Sequence, residues 1–369
     1  MPVSLCHRLI ALLALVPLAI CAIAAEEPLP AQFDFEQEAL APQWTTTACG
    51  AALSITRDGA NVREGRGALE LSWDATDGRL AILTVAPVRL DERARSLRLS
   101  VKLDQLSPVM FGVREADGST YQGYMYTPGG VWHDLAVDLD ELMLSEGSED
   151  ENGRLDVRQI TGIVVADLSN ISGEAGKSLG LKSGRPHLWL DNVEISAALA
   201  PHRSRRTPEG DLIIDDFEYE PIQCLPIGSP QLTLTGGPGD GDDSALRVGY
   251  DREHYRWVGF VAGVGHLSLA DRSELCLRVR ADNQVRLTVV LEERDGSKYV
   301  CKQRLEPERG WQTIVLPFGR FKLDPQTTDE NEALDLDQLR VIIPVLDSKT
   351  SAVGTDGRGA WNVSRIWVR

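Results

Sequence analysis

Asp117-Gly118-Ser119-Thr120-Tyr121 and Asp295-Gly296-Ser297-Lys298-Tyr299 are two versions of one segment, 178 positions apart in a chain of 369 residues. Each Asp-Gly pair lies between runs in which apolar and polar residues alternate, the pattern of a strand with one buried face. Glycine accepts the positive φ that a type I′ turn requires. The sequence therefore predicts a β-hairpin with a type I′ turn at both places.

The rest of the chain repeats with nearly the same spacing. The further matching pairs are Phe33-Asp34-Phe35-Glu36 with Asp215-Asp216-Phe217-Glu218, Gly67-Ala68-Leu69-Glu70-Leu71 with Ser244-Ala245-Leu246-Arg247-Val248, Gly130-Val131-Trp132 with Arg309-Gly310-Trp311, and Asp150-Glu151-Asn152 with Asp329-Glu330-Asn331. A spacing that drifts by only a few residues indicates a duplicated module with small loop insertions.

The duplication predicts two domains, as the chain length does at roughly 100 to 200 residues per domain. We expect a first domain over 30–198, a linker over 199–210 and a second domain over 211–369. The linker contains two prolines and three arginines in an otherwise acidic chain.

Both domains are expected to be all-β. Period-two segments such as Ser96–Val101 and Glu274–Val279 recur between turn residues, and no long stretch keeps a 3.6-residue period. About eight short strands per copy indicate two tandem β-sandwiches.

The order of these motifs resembles a known family. It runs from Asp-Phe-Glu through a glycine-rich loop before Ala-Leu-x-Leu, an Asp-Gly hairpin with tyrosine and a Gly-x-Trp strand start to a closing strand over Trp189–Ile195. The chain resembles galactose-binding-domain-like jelly rolls, nearest to family eleven carbohydrate-binding modules and complex I intermediate-associated domains. The resemblance implies a sugar ligand; such modules usually stand beside a catalytic domain.

Charge restricts the partners. The formal net charge is −17 and the pI about 4.8, which argues against nucleic acid or an anionic membrane surface as partner. An acidic polymer would also be repelled, whereas neutral ligands, cations and proteins are compatible.

The first 25 residues predict a secretory signal peptide, with a basic start, an apolar run and small residues before Glu26. Ile20 stands where a lipoprotein signal needs a small residue, which argues against a lipid anchor at Cys21. No later segment is long and apolar enough to span a membrane. We expect a secreted or periplasmic bacterial protein.

Four cysteines follow the leader: Cys49, Cys224, Cys276 and Cys301. An exported protein can form disulfides. Because Cys276 and Cys301 lie in predicted strands of one domain, they are the favoured pair, with free thiols as the open alternative.

Aromatic residues around the first hairpin form the candidate sugar site, since an aromatic ring stacks on a pyranose while polar groups bind its hydroxyls. The candidates are Tyr121, Tyr124, Tyr126, Trp132 and, on the preceding strand, Arg114. The alternative is that the rings belong to the core.

The repeat separates these candidates. Tyr121 and Trp132 recur in the second copy, which favours a framework role, whereas Lys302 and Arg304 replace Tyr124 and Tyr126. The fold therefore does not require the last two rings. In the second copy Tyr255 and Trp257 are the comparable candidates, with an ordinary half-buried strand as the alternative.

The resemblance also implies a structural Ca²⁺, held by a carboxylate after the first aromatic residue, backbone oxygens of the glycine-rich loop and an aspartate of the closing strand. Glu36, the loop 63–67 and Asp191 stand at these places in the first copy. The second copy has Glu218, but linear alignment puts Ser364 opposite Asp191, so we expect a weaker or empty site there.

No residue pattern identifies a catalytic centre. Gly176-Lys177-Ser178-Leu179-Gly180 matches a nucleophile elbow, but it lacks the strand and helix that such a motif needs. The sequence favours an exported, non-catalytic protein that binds polysaccharide. The alternatives are a structural or protein-interaction module of an envelope assembly, and a glycoside hydrolase or polysaccharide lyase built on a β-sandwich.

Overall fold

The computed structural model describes residues 29–75, 80–90, 93–145, 148–150, 152–169, 184–200, 206–207, 209–218, 222–228, 231–238, 244–253, 255–265 and 267–369. The predicted leader and the segment around Ser178 lie outside these ranges. Among the described residues, 29–200 and 206–369 form two separate compact units. This division falls within the segment expected to be the linker.

The first unit consists of short strands. They are β1 (Leu29–Pro30), β2 (Gln32–Phe33), β3 (Trp44–Thr46), β4 (Ala52–Thr56), β5 (Ala68–Ser72), β6 (Ala81–Val85), β7 (Val88–Arg89), β8 (Ser96–Leu103), β9 (Ser107–Glu115), β10 (Thr120–Thr127), β11 (Trp132–Asp138), β12 (Met143–Leu144), β13 (Ile160–Asp167) and β14 (His187–Ser196).

Two six-stranded antiparallel sheets form the sandwich of the first unit. The sheet that carries the Asp-Gly hairpin, here the hairpin sheet, has the order β12-β10-β9-β13-β6-β3. The sheet that carries the last strand, here the closing sheet, has the order β11-β8-β14-β5-β4, and β2 also pairs with β14. Strands β1 and β7 form a small parallel pair.

The second unit repeats this arrangement. Its strands are β15 (Leu212–Asp215), β16 (Leu225–Ile227), β17 (Gln231–Gly236), β18 (Ser244–Asp251), β19 (Trp257–Gly263), β20 (Glu274–Ala281), β21 (Val285–Glu293), β22 (Lys298–Leu305), β23 (Gln312–Pro317), β24 (Lys322–Leu323), β25 (Leu339–Asp347) and β26 (Arg358–Val368). Its hairpin sheet has the order β16-β19-β25-β21-β22-β24 and its closing sheet the order β17-β18-β26-β20-β23, with β15 paired to β26.

The predicted all-β tandem of sandwiches is confirmed. Within the described ranges the helical turns are short 3₁₀ segments, at Gly59–Asn61, Leu139–Glu141, Val157–Gln159, Pro307–Arg309 and Phe318–Arg320. Alternate residues of each long strand enter the core, as do Leu97, Leu99 and Val101 of β8. In the second unit Trp361 is fully buried and stacks on Phe260 with ring centroids 6.0 Å apart.

The duplication is visible in the backbone itself. Phe35 and its counterpart Phe217 both have a left-handed φ, of 55° and 56°. The preceding aspartate supports each turn, because Oδ1 of Asp34 accepts a hydrogen bond from the amide of Glu36 at 3.2 Å. In the second unit Oδ1 of Asp216 accepts from the amide of Glu218 at 3.3 Å. Both copies of the Asp-Phe-Glu motif therefore fold in the same way.

The predicted type I′ turn is wrong in both hairpins. A type I′ turn needs positive φ at both central residues. Only the glycines have it, with φ of 96° at Gly118 and 89° at Gly296. The amide of Gly118 donates to the carbonyl of Glu115 at 3.1 Å, and the amide of Gly296 to that of Glu293 at 3.0 Å. The loop is therefore three residues long, with glycine last.

The predicted disulfide between Cys276 and Cys301 is also wrong, because both thiols are free. Cys276 lies on β20 of the closing sheet and Cys301 on β22 of the hairpin sheet, so the two cysteines belong to different layers of the sandwich. Burial raises the pKa of the Cys276 thiol to about 11.

Thiol labelling should separate the four described cysteines. Cys49 is exposed, whereas Cys224, Cys276 and Cys301 are buried. Because the thiolate is the reactive form and burial disfavours it, we expect only Cys49 to react quickly at neutral pH. Mass spectrometry of the labelled native chain should show Cys49 modified and the other three modified only after denaturation. Rapid native labelling of Cys276 would contradict the burial described here.

Among the described residues, no helix is long and apolar enough to cross a membrane.

Candidate functional site

Strand β10 directs its tyrosines to opposite sides of the hairpin sheet. Tyr121 belongs to the core of the first unit, so the period of two places Tyr124 and Tyr126 on the outer face. Tyr124 is half-buried and its hydroxyl accepts a hydrogen bond from Nε2 of Gln122 at 2.6 Å. Tyr126 is 7% exposed. Tyr124 is therefore the more accessible of the two outer rings.

Apolar side chains continue the row of Tyr124 across the sheet. Tyr124 lies opposite Met110 of β9, Met110 opposite Ala166 of β13, and Ala166 opposite Ile82 of β6. All three of these neighbours are buried. The half-buried ring thus stands at the end of an apolar row, where it can stack against a ligand.

Tyr121 is removed from the candidate site, since it is 2% exposed and lies between the sheets. Its hydroxyl donates a hydrogen bond to Asp150, just as that of Tyr299 donates to Asp329. Burial, together with these carboxylates, raises the pKa of both phenols. The recurrence of this tyrosine reflects a framework role.

Trp132 is also separated from the tyrosines. It is the first residue of β11 and pairs with Lys102 in the closing sheet, on the outer face. The outer faces of a sandwich's two sheets point in opposite directions. Trp132 and Tyr124 therefore cannot contact one small sugar together. The sequence reveals their proximity along the chain but not their assignment to different sheets.

Arg114 lies on the same outer face as Tyr124. It is opposite Thr120 of β10 and Gly162 of β13, and burial lowers the pKa of its guanidinium. Its Nε is buried without a hydrogen-bond partner among the described residues. Arg114 thus retains an unused donor on the same face, four residues along β9 from Met110, which lies opposite Tyr124.

In the second unit, Trp257 is the first residue of β19 in the hairpin sheet, and Tyr255 lies two residues before it. Trp257 lies opposite Asp347, and the guanidinium of Arg256 is 5.5 Å from the centre of the Trp257 ring. Nη2 of Arg256 is 2.9 Å from Oδ2 of Asp347. The ring is therefore already in contact with an ion pair of its own unit.

Three carboxylates meet beside each hairpin turn. Glu115, Asp117 and Asp150 in the first unit and Glu293, Asp295 and Asp329 in the second are close enough for a metal ion to contact each group. The hydroxyl of Ser119 donates to Glu115 at 2.7 Å, and that of Ser297 donates to Glu293. Asp150 and Asp329 each begin a copy of the repeated Asp-Glu-Asn motif, whereas no motif in the sequence points to the two buried glutamates.

These clusters predict a pH effect. Burial raises the pKa of Glu293 above its ordinary 4.5, so the folded state binds this proton more tightly than the unfolded state. The resulting stabilisation is fully present below 4.5 and is lost as the pH rises through the raised pKa. In the presence of a chelator, the stability of Glu293→Gln relative to the wild type should therefore increase as the pH rises from about 4 to about 7. Melting curves test this, with exposed Glu330→Gln as control; equal gains in both variants would contradict it.

Glu36 and Asp191 converge on the loop 63–67 as expected, but mainly through amide groups. Oε1 of Glu36 accepts from the amides of Arg66 at 2.6 Å and Gly67 at 3.2 Å. Oδ2 of Asp191 accepts from the amides of Arg63 at 3.0 Å and Glu64 at 3.1 Å. Burial raises the pKa of Asp191, and the charge of Glu36 adds to this effect. The expected calcium ligation by these groups stays a prediction.

Glu218, the counterpart of Glu36, has different surroundings. It lines a cleft of about 260 Å³ in the second unit together with Arg278 and Arg365. The guanidinium groups balance the two carboxylates of this cleft, Asp216 and Glu218, so its charge does not favour a cation.

No protein-family model matches the chain, and no curated protein is similar enough to count as a relative. Among solved structures, the family 11 carbohydrate-binding module of cellulosomal cellulase Lic26A-Cel5E of Clostridium thermocellum is similar over 43% of this chain and 94% of its own, with 17% identity and a TM-score of 0.33. The CBM22-1-CBM22-2 tandem domain of Paenibacillus barcinonensis Xyn10C is similar over 94% of this chain and 98% of its own, with 14% identity and a TM-score of 0.32.

An exo-beta-agarase is similar over 46% of this chain, with 16% identity and a TM-score of 0.34. That match spans 25% of the agarase chain. The chain is thus similar to β-jelly-roll carbohydrate-binding modules and to part of an enzyme, while its own fold rests on the strand pairing described above.

Proposed function

We propose that this protein is an exported, non-catalytic carbohydrate-binding protein that recognises a polysaccharide on the hairpin sheet of the first unit. The supporting observation is the half-buried ring of Tyr124 at the end of an apolar row, on the same face as the unused donor of Arg114. A sugar ring has an apolar face for the tyrosine and hydroxyl oxygens that accept from a guanidinium. The apolar face of a sugar ring and its hydroxyl oxygens therefore both have a partner on this face of the sheet.

A glycan array probed with the full chain tests the proposal. We expect binding to one class of neutral polysaccharide, with no change in the length of the bound glycan. Release of reducing ends or unsaturated products would replace the proposal with the enzyme alternative. No binding to any glycan on the array, together with co-purification of an envelope protein, would replace the proposal with the interaction-module alternative.

We further propose that a structural Ca²⁺ binds the carboxylate cluster beside each hairpin turn, because hard cations take several oxygen ligands at once. A ligand at 100 times its dissociation constant stabilises by about 2.7 kcal/mol. Calcium should therefore raise the melting temperature of both units, and Glu115→Gln and Glu293→Gln should each abolish the effect in one unit. A response of the first unit alone, abolished by Glu36→Gln, would instead place the ion at Glu36 and Asp191. No response would exclude both sites.

A further inference from the structure

The second unit has a cleft on the outer face of its closing sheet. This surface is separate from the proposed polysaccharide site, which lies on the hairpin sheet of the first unit. The cleft has a volume of about 260 Å³. The residues used in the argument below are Asp216, Glu218, Arg278, Thr313, Arg365 and Trp367, all of which line it.

The same ladder row carries opposite charges in the two units. In the first unit Ser100 pairs with Asp134 on one side and Asp191 on the other. In the second unit Arg278 pairs with Thr313 and Arg365. A row with two carboxylates has thus become a row with two guanidinium groups.

A shifted bulge explains why linear alignment misses this exchange. The irregularity follows Asp191 in the first unit, between Asp191 and Glu194, whereas in the second it lies between Arg278 and Val279 of β20. Ser364 is consequently unpaired in the ladder, and Arg365 takes the position opposite Arg278. The sequence-based expectation that Ser364 replaces Asp191 is correct in linear order but wrong in the sheet.

The two guanidinium groups lie opposite each other without a direct ion pair. Like charges directly opposite each other on neighbouring strands are destabilising. The hydrogen bond found for the Arg278 side chain goes to Oγ1 of Thr313 at 3.3 Å, and neither arginine has an ion-pair partner among the described residues. By contrast, Arg247 on the same sheet is 2.6 Å from Asp282. An anionic group between Arg278 and Arg365 would remove this repulsion.

The remaining walls restrict the kind of anion. Asp216 is 6% exposed and, with Glu218, contributes carboxylate oxygens that accept hydrogen bonds and repel a second anion. Trp367 lies two residues beyond Arg365 on the same strand face, where its ring can cover an apolar surface. The ligand therefore needs one anionic group, hydroxyl donors and an apolar face.

We infer that this cleft binds a uronic acid residue of a saccharide. Its carboxylate fits the planar donors of the two arginines, its hydroxyls donate to Asp216 and Glu218, and its ring stacks on Trp367. The inference rests on the proposed saccharide-binding function and adds a second site with a defined sugar class. The net charge of −17 limits the ligand to an isolated or terminal uronate, since a long polyanion is repelled.

NMR titration of the full chain with glucuronate, glucose and inorganic sulfate tests the inference. We expect glucuronate to bind, glucose to bind at least about tenfold more weakly, and added salt to weaken the glucuronate complex. Arg278→Gln and Arg365→Gln should each weaken glucuronate binding by about tenfold or more. Arg247→Gln is the control and should leave binding unchanged, because Arg247 forms an ion pair with Asp282. Spectra of the free variants verify that each remains folded.

Equal affinity for sulfate and glucuronate would overturn the sugar assignment, and glucuronate binding that survives both arginine substitutions would overturn the site. Tyr124→Ala separates the two proposals, because it should leave glucuronate binding intact. Polysaccharide binding without glucuronate binding would refute only the inference. Glucuronate binding that follows the arginines, in a chain that binds no polysaccharide, would refute only the proposed site on the hairpin sheet.

Discussion

Tyr124→Ala is expected to weaken polysaccharide binding by about thirtyfold, or roughly 2 kcal/mol, the effect of losing a central aromatic contact. The same substitution should cost less than about 1 kcal/mol of unfolding free energy, because the ring is half-buried and the second unit forms the same strand without it. Isothermal titration with the best soluble glycan from the array measures the affinity, and a melting curve measures the stability.

The repeat supplies a matched control for this substitution. Lys302 occupies the position of Tyr124 on the second hairpin, so Lys302→Ala changes the corresponding place and should leave affinity unaltered. Tyr126→Ala is less suitable, because a 7% exposed ring also contributes to packing. Unchanged affinity in Tyr124→Ala would refute the site, and a large fall in its melting temperature would assign the ring to the framework.

Trp361→Ala should destabilise the second unit by about 3 to 5 kcal/mol, the usual cost of truncating a buried tryptophan. Trp361 is fully buried, stacks on Phe260 and lies between Val248 and Ala281 in its sheet. If each unit folds on its own core, the first unit should keep its stability. Denaturant titration followed by hydrogen-exchange mass spectrometry reports the two units separately.

Leu188 provides the reciprocal substitution, because it is fully buried at the corresponding place on β14. Leu188→Ala should destabilise the first unit by about 2 to 5 kcal/mol and leave the second unchanged. Equal loss of protection in both units, from either substitution, would show that the two do not unfold independently.

Local patterns in the sequence were sufficient to predict the tandem β-sandwich. Alternation along β8 and the repeated Asp-Gly hairpins depend on neighbours in the chain, and both appear in the structure. The turn type was not predictable, since Asp-Gly fits a two-residue or a three-residue loop, and a hydrogen bond from Gly118 to Glu115 decides between them.

The candidate site was predicted only in part, because side-chain proximity depends on which sheet each strand joins. Trp132 follows the tyrosines by a few residues yet belongs to the opposite layer, as Cys276 does relative to Cys301. In the second unit, the pairing of Arg278 with Arg365 depends on a one-residue bulge, which linear alignment does not reveal.

Hydrogen exchange of the full chain, with and without a saturating glycan from the array, tests the central claim most directly. Binding at the proposed site predicts slower exchange in β9 and β10 of the first unit, around Arg114 and Tyr124, and unchanged exchange in β21 and β22 of the second. Protection confined to the closing sheet around Trp132, or to the second hairpin, would contradict it.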